Sequence, residues 1–328
     1  MDDAGRPGVR LTRTEDNVEA IDALAARHGG RVGLDGVLSG LDRRLRRTWA
    51  PGLAVHRAWT WDAADRRDPR WWPQGVSSSA AADVERRILA VSWYAQGGGS
   101  RISFLDLAAR RYQHVDLVVA TESGHEPLRV HAGGIAWHGP YLHVAATGMG
   151  FWTCHTDDVI ETPSGFVLPV RFGYRAGADE GTERLRYSFL SLDTDASPPA
   201  LVVGEYGSRS RTRRLAHFAL DPDSLLLATD EEGVSHPEVV DGGVVRAQGV
   251  VRVGGTYYLT VSHGPWTPGS VYAGQPGAFR HHRWAAPMGP EDLAHEPGTD
   301  LLWTVTEHPR RRWVVAMRRS RLAPATGD

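Results

Sequence analysis

Three side chains able to move protons close equivalent apolar, strand-like runs. Glu205 stands near the end of 201–206, His263 ends 257–263 and Glu307 ends 301–307. Two carboxylates and an imidazole suffice for general acid–base catalysis when they converge within about 3 Å of a substrate. Trp93 with Tyr94, Thr147 and Tyr206 hold the matching places in the other runs. A second set opens the preceding runs: Gln74, His131, Tyr187, Gln248, and Glu291 with Asp292. Amides, phenols and imidazoles of this kind orient a ligand by hydrogen bonds, and Trp266, in a Gly/Pro-rich turn, adds an aromatic surface. The expected catalytic residues are therefore Glu205, His263 and Glu307. The expected substrate-binding residues are Gln74, Trp93, Tyr94, His131, Tyr187, Tyr206, Gln248, Trp266 and Glu291.

Other chemistries lack their residues. Cys154 is the single cysteine, which excludes an intrachain disulfide and a thiolate metal site. His281 and His282 are neighbours on a strand and point to opposite faces, and no helix carries a paired-histidine spacing, so no transition metal is expected. Oxygen ligation of Ca²⁺ through Glu291 or Asp292 is the alternative. There is no Gly-x-Ser-x-Gly elbow, no Gly-x-Gly-x-x-Gly opening a helix and no phosphate-binding loop, so neither a serine nucleophile nor a nucleotide cofactor is expected. The formal net charge of −2 gives no reason to expect nucleic acid or an anionic membrane as partner. Every permanent side-chain cation is Arg, since the chain has no lysine. The N-terminus shows no basic segment followed by an apolar run, so a cytoplasmic protein is expected.

The candidate residues sit at fixed places in a repeat. Pro73-Gln74-Gly75-Val76 returns nearly unchanged as Ala247-Gln248-Gly249-Val250. Gly133-Gly134-Ile135, Tyr187-Ser188-Phe189 and Pro290-Glu291-Asp292-Leu293 are divergent copies. They end at residues 76, 135, 189, 250 and 293, in steps of 59, 54, 61 and 43. Units of about 40–60 residues built from short strands predict a propeller of β-sheets. Residues 53–61 read as an orphan strand, whereas the last repeat stops after Trp313–Arg318 without a fourth, so the two should complete one sheet. The first 13 residues read as irregular. A helix is predicted over 15–28, capped by Thr14, and a second over 37–49 from Leu38, Leu41, Leu45 and Trp49. The loop 265–277 reads as the least regular part of the fourth repeat. The expected fold class is all-β: residues 1–52 form a short helical extension, and 53–328 a five-bladed β-propeller closed by its N-terminal strand.

The Gln-Gly-Val openings resemble those of NHL, gluconolactonase and strictosidine-synthase-like propellers, and the whole chain is similar to a group of actinobacterial propeller proteins. Where the gluconolactonase pattern Pro-Glu-Gly places a metal-binding Glu, this chain has Gln74. The sequence thus predicts a cofactor-free, metal-independent enzyme acting on a small organic molecule: a cyclase, isomerase, lyase or hydrolase. The alternatives are a lectin-like binding module and an interaction scaffold.

Overall fold

The computed structural model describes residues 8–324. Apolar, β-branched runs separated by tight turns pair with their successors in the chain, giving five antiparallel meanders. The first is Trp71–Ser78, Ile88–Ala95, Ser100–Asp106 and Arg111–Thr121. The second is Ile135–His138, Tyr141–Ala146, Gly150–His155 and Gly165–Ala178, and the third Phe189–Asp193, Ala200–Gly204, Leu215–Ala219 and Glu238–Val240. The fourth is Ala247–Val253, Thr256–Val261, Gly269–Gln275 and Ala278–Ala286. The fifth is Pro290–His295, Leu301–Thr306 and Trp313–Arg318, with Val55–Thr60 supplied from the other end of the chain. The first strands of the meanders pack on one another in cyclic order, the fifth against the first. The chain is therefore a β-propeller: each meander is a blade and its first strand lies innermost.

The seams between blades are apolar. Ile88, Phe104 and Val115 of blade 1 pack on Ile135, Trp137 and Leu142 of blade 2. Phe189, Val202 and Leu215 of blade 3 meet Val250, Tyr257 and Leu259 of blade 4. At the closing seam Trp59, Trp61 and Trp303 of blade 5 meet Val76, Leu89 and Trp93 of blade 1. Closure is a register of backbone pairs in which Trp313 opposes Thr60, Val315 opposes Ala58 and Met317 opposes Val55.

The segment before the closing strand differs from its sequence reading. Residues 9–13 form a strand along the outer strand of blade 2, Val9 opposite Ala178 and Arg13 opposite Tyr174; residues 1–7 lie outside the described residues. A helix runs over Val18–Arg27, with Ile21, Leu24 and Ala25 buried against Val118, Ala120 and Val167. Thr14 does not cap it; its hydroxyl accepts from the Gly173 amide at 2.9 Å. The second helix is Gly33–Ser39, and the chain after it is extended: Arg43–Arg44 pair with Arg111–Tyr112, and Arg46–Thr48 with Ala58–Thr60. Leu41, Leu45 and Trp49 are four residues apart, a spacing that fits one face of a strand as well as a helix. Sheet pairing thus crosses residue 52. The stretch 265–277 also contains a regular strand, Gly269–Gln275.

Candidate functional site

The repeated Gln-Gly motif is a β-bulge. Pairing with the second strand slips between Pro73 and Val76 in blade 1, between Ala247 and Gly249 in blade 4, and between Pro290 and Leu293 in blade 5. A bulge places an extra residue in one strand and re-aims its side chains. Here the residues so released are Gln74, Gln248 and Glu291, which line one end of the channel. The position after each Gln must be small. A Cβ on Gly75 would lie 2.7 Å from the Ile135 amide nitrogen, and one on Gly249 2.4 Å from the Asp292 Cα. The inner strands therefore meet backbone to backbone, and the channel narrows beneath the bulges.

Blade 5 breaks the small-residue rule with Asp292. Its carboxyl reaches across the axis and accepts from the Ile135 amide at 3.2 Å, while its other oxygen has no partner. Complete burial drives its pKa well above the usual carboxylate range, outweighing the opposing pull of the nearby Ile135, Leu293 and Val76 amides.

Above this floor lies a cavity of about 350 Å³, lined by Gln74, His131, Thr147, Ser188, Tyr206, Gln248, Glu291 and Glu307. Its chemical centre is a pair of carboxyls, Glu291 and Glu307, both in its lining. Glu291 is 3% exposed, its backbone carbonyl held by Thr260 at 2.6 Å and Thr304 at 3.3 Å. The Gln248 amide donates to its Oε1 at 3.1 Å. Burial first, then the charges of Glu307 and Asp292, push Glu291 well above its ordinary value. Glu307 is also raised by burial, though hydrogen bonds with Gln74 and Glu291 and the Arg312 charge pull the other way. Its carbonyl accepts from the buried Arg312 guanidinium at 2.9 Å. Like charges in one site disfavour each other's ionised form, so the two carboxyls titrate as a coupled pair. Tyr94 stands beside them with its ring tilted on His131 at 4.5 Å; burial and the two glutamates raise its pKa.

The structure thus gathers Gln74, His131, Tyr206, Gln248, Glu291 and Glu307 at one cavity, with Tyr94 next to it. The other expected residues are elsewhere. The Glu205 side chain has no solvent exposure and binds Arg214 through Nε at 3.2 Å and Nη2 at 2.9 Å, plus the amides of Arg186 and Arg214. Burial alone would raise its pKa, but these donors outweigh it and hold the carboxylate ionised below the usual range. It joins strands and lines none of the channel cavity. His263 lines a different, outer depression and shares the Ser270 hydroxyl with His281, each at 2.8 Å. Trp93 is fully buried and donates to Ser103 at 2.7 Å. Tyr187 is buried between Phe151 and Phe218, so Ser188 rather than Tyr187 reaches the cavity. Trp266 is 76% exposed beneath the Arg311 guanidinium and lines none of the cavity.

One constellation was missed by sequence reasoning. Ser103 bonds His114 at 2.7 Å, and His114 bonds Asp65 at 2.9 Å, the connectivity of a nucleophilic triad. Ser103 is fully buried and already accepts from Trp93. Burial, with Arg101 nearby, takes His114 down to about 4. The chain Trp93–Ser103–His114–Asp65 therefore ties three strands of blade 1 to the helix at Ala63–Arg67. Its members are scattered over 49 residues without a local motif, so no sequence signal marks it.

Among the described residues, no three His, Cys, Asp or Glu side chains gather in an arrangement that could hold a metal ion. No helix among them is long and apolar enough to cross a membrane. No family model matches the chain, and no curated protein matches it. Among solved structures it is similar to glutaminyl cyclase of Myxococcus xanthus at 13% identity, covering 84% of this chain and 97% of that one, with a TM-score of 0.38. A gluconolactonase of Xanthomonas campestris gives 12% identity over 85% of each chain and a TM-score of 0.41. A β-xylosidase/α-arabinofuranosidase from a compost metagenome gives 11% identity over 86% of this chain and 98% of that one, with a TM-score of 0.39.

Proposed function

We propose that this propeller is an enzyme that moves protons on a small polar organic molecule held in the channel mouth. Glu307, the more exposed carboxyl of the pair, is the base; Glu291 stores a proton and returns it through Glu307. Gln74, Gln248, His131 and Tyr206 orient the substrate. The reaction belongs to the cyclase, isomerase, lyase or hydrolase classes, whose bond-making and bond-breaking steps proton transfer promotes, and acid and base both come from the chain's own residues.

The observation that carries this reading is the carboxyl pair itself. Burying two acids side by side costs stability, and a raised carboxyl pKa at a cavity suits acid–base work. The unlike residues contributed by the blades argue against a lectin-like array of equivalent sites. Incubating the protein with a library of small polar metabolites and following products by mass spectrometry tests the proposal. The parent should form a product that Glu307→Gln does not, with a loss of about 10²- to 10⁴-fold. Binding without turnover would make the propeller a binding module. The same two carboxyls, with the amide oxygens of Gln74 and Gln248, are also the alternative seat of a hard cation. Calcium that raises the melting temperature of the parent but not of Glu307→Gln would replace the proton reading.

A further inference from the structure

The concave surface beside the channel mouth is cationic. Arg209, Arg246, His263, Ser208 and Tyr272 line a groove of about 530 Å³ between blades 3 and 4. His263 also lines a neighbouring depression of about 340 Å³ with His281, Arg283, Thr267 and Ser270. Neither lining includes an acid. Among the described residues, Arg209, Arg246 and Arg283 form no salt bridge.

The two chain segments that line this groove also reach the proposed reaction site. Tyr206 lines the channel cavity, and Ser208 and Arg209, two and three residues on, line the groove. Gln248 lines the cavity and Arg246, two residues before it, the groove. The Arg246 amide donates to the Gly207 carbonyl at 2.9 Å, joining the two segments into one wall. Arg246 itself has φ +60, a left-handed conformation that costs a residue with a Cβ and that packing must hold in place.

Unpaired guanidiniums flanked by hydroxyl and imidazole donors fit an oxyanion, which Arg binds in forked hydrogen bonds. On the proposed reading of the channel mouth, we infer that the substrate carries an anionic group, a phosphate or a carboxylate, that docks on Arg209, Arg246 and His263 while its reacting part reaches Glu307. The outer groove then selects and orients, and the carboxyl pair reacts.

Inorganic phosphate and acetate serve as probes of the full chain, by calorimetry at constant ionic strength with chloride as reference. The parent should bind one of them saturably. Arg246→Gln and Arg209→Gln, both at exposed positions, should each weaken it by about tenfold or more, the loss expected for a charge-assisted hydrogen bond. Arg246→Lys should recover part of the loss. Phosphate retained over acetate names a phosphorylated substrate; the reverse names a carboxylate. Glu307→Gln should bind the probe as tightly as the parent, so failure of the catalytic reading leaves this result standing. Absence of saturable binding by either probe, or binding indifferent to both Arg→Gln variants, overturns the inference.

Discussion

At the scale of single residues, two buried glutamates have opposite fates. Glu291 has a raised pKa, so its contribution to stability is full below the ordinary Glu value of about 4.3 and is lost as pH rises through its folded value. Glu291→Gln removes that dependence. Its melting temperature relative to the parent should therefore climb with pH above about 4.3; a difference independent of pH would show that Glu291 is not the buried acid. Glu205 has a lowered pKa and behaves in reverse. Glu205→Gln breaks a buried ion pair with Arg214 and should cost about 3 kcal/mol at neutral pH, by the usual penalty for orphaning one partner. The deficit should shrink as pH falls below about 4.3, where the parent loses the same charge. Ligand binding at the channel should survive the substitution. Urea unfolding of both variants across pH measures these opposite slopes.

At the scale of elements, the bulges explain what could be read in advance. Gln74-Gly75 and Gln248-Gly249 repeat as letters because both are imposed by one geometry: a side chain turned into the mouth, then a residue with no room for a Cβ. Gly249→Ala should destabilise by about 1–3 kcal/mol, since its Cβ would sit 2.4 Å from a backbone atom that side-chain rotation cannot move. Thermal melts check it, and a neutral result would mean that the inner strands are free to spread. The repeat thus exposed Gln74, His131, Gln248, Glu291 and, through the second-strand ends, Tyr206 and Glu307. Position alone misplaced others. Glu205 and His263 stand at the same strand ends as Glu307, but Arg214 captures one and Ser270 holds the other outside the cavity. Such captures depend on residues 7 to 9 positions away across a turn, and no periodicity reports them. The 37–49 segment failed for a related reason: a four-residue apolar spacing serves a strand face too, and the hydrogen-bonding edge of Val55–Thr60 decided the matter.

At the scale of the whole molecule, the closed ring sets where stability resides. Blade 5 takes its outer strand from Val55–Thr60, more than 250 residues before Trp313–Arg318 in sequence, so the sheet forms only when both ends of the chain meet. Trp59, Trp61 and Trp303 bury at the seam with blade 1, and Thr60 donates at 2.8 Å to the carbonyl of Arg312, whose guanidinium holds the Glu307 carbonyl. A chain begun at residue 63 loses the strand, two buried tryptophans and the order of the turn carrying Glu307. It should not unfold cooperatively. A chain begun at residue 53 keeps the closing strand but loses the helix Val18–Arg27 and the strand Val9–Arg13, which cover the outer edges of blades 1 and 2. It should still melt in a single transition, at a lower temperature, because the ring of inner strands is intact. Circular dichroism melts of the two truncations beside the parent separate these outcomes. Equal melting of the shorter chain and the parent would remove the closing strand from any role in holding the ring. Failure of the longer chain would show that the N-terminal strand and helix belong to the folding unit itself.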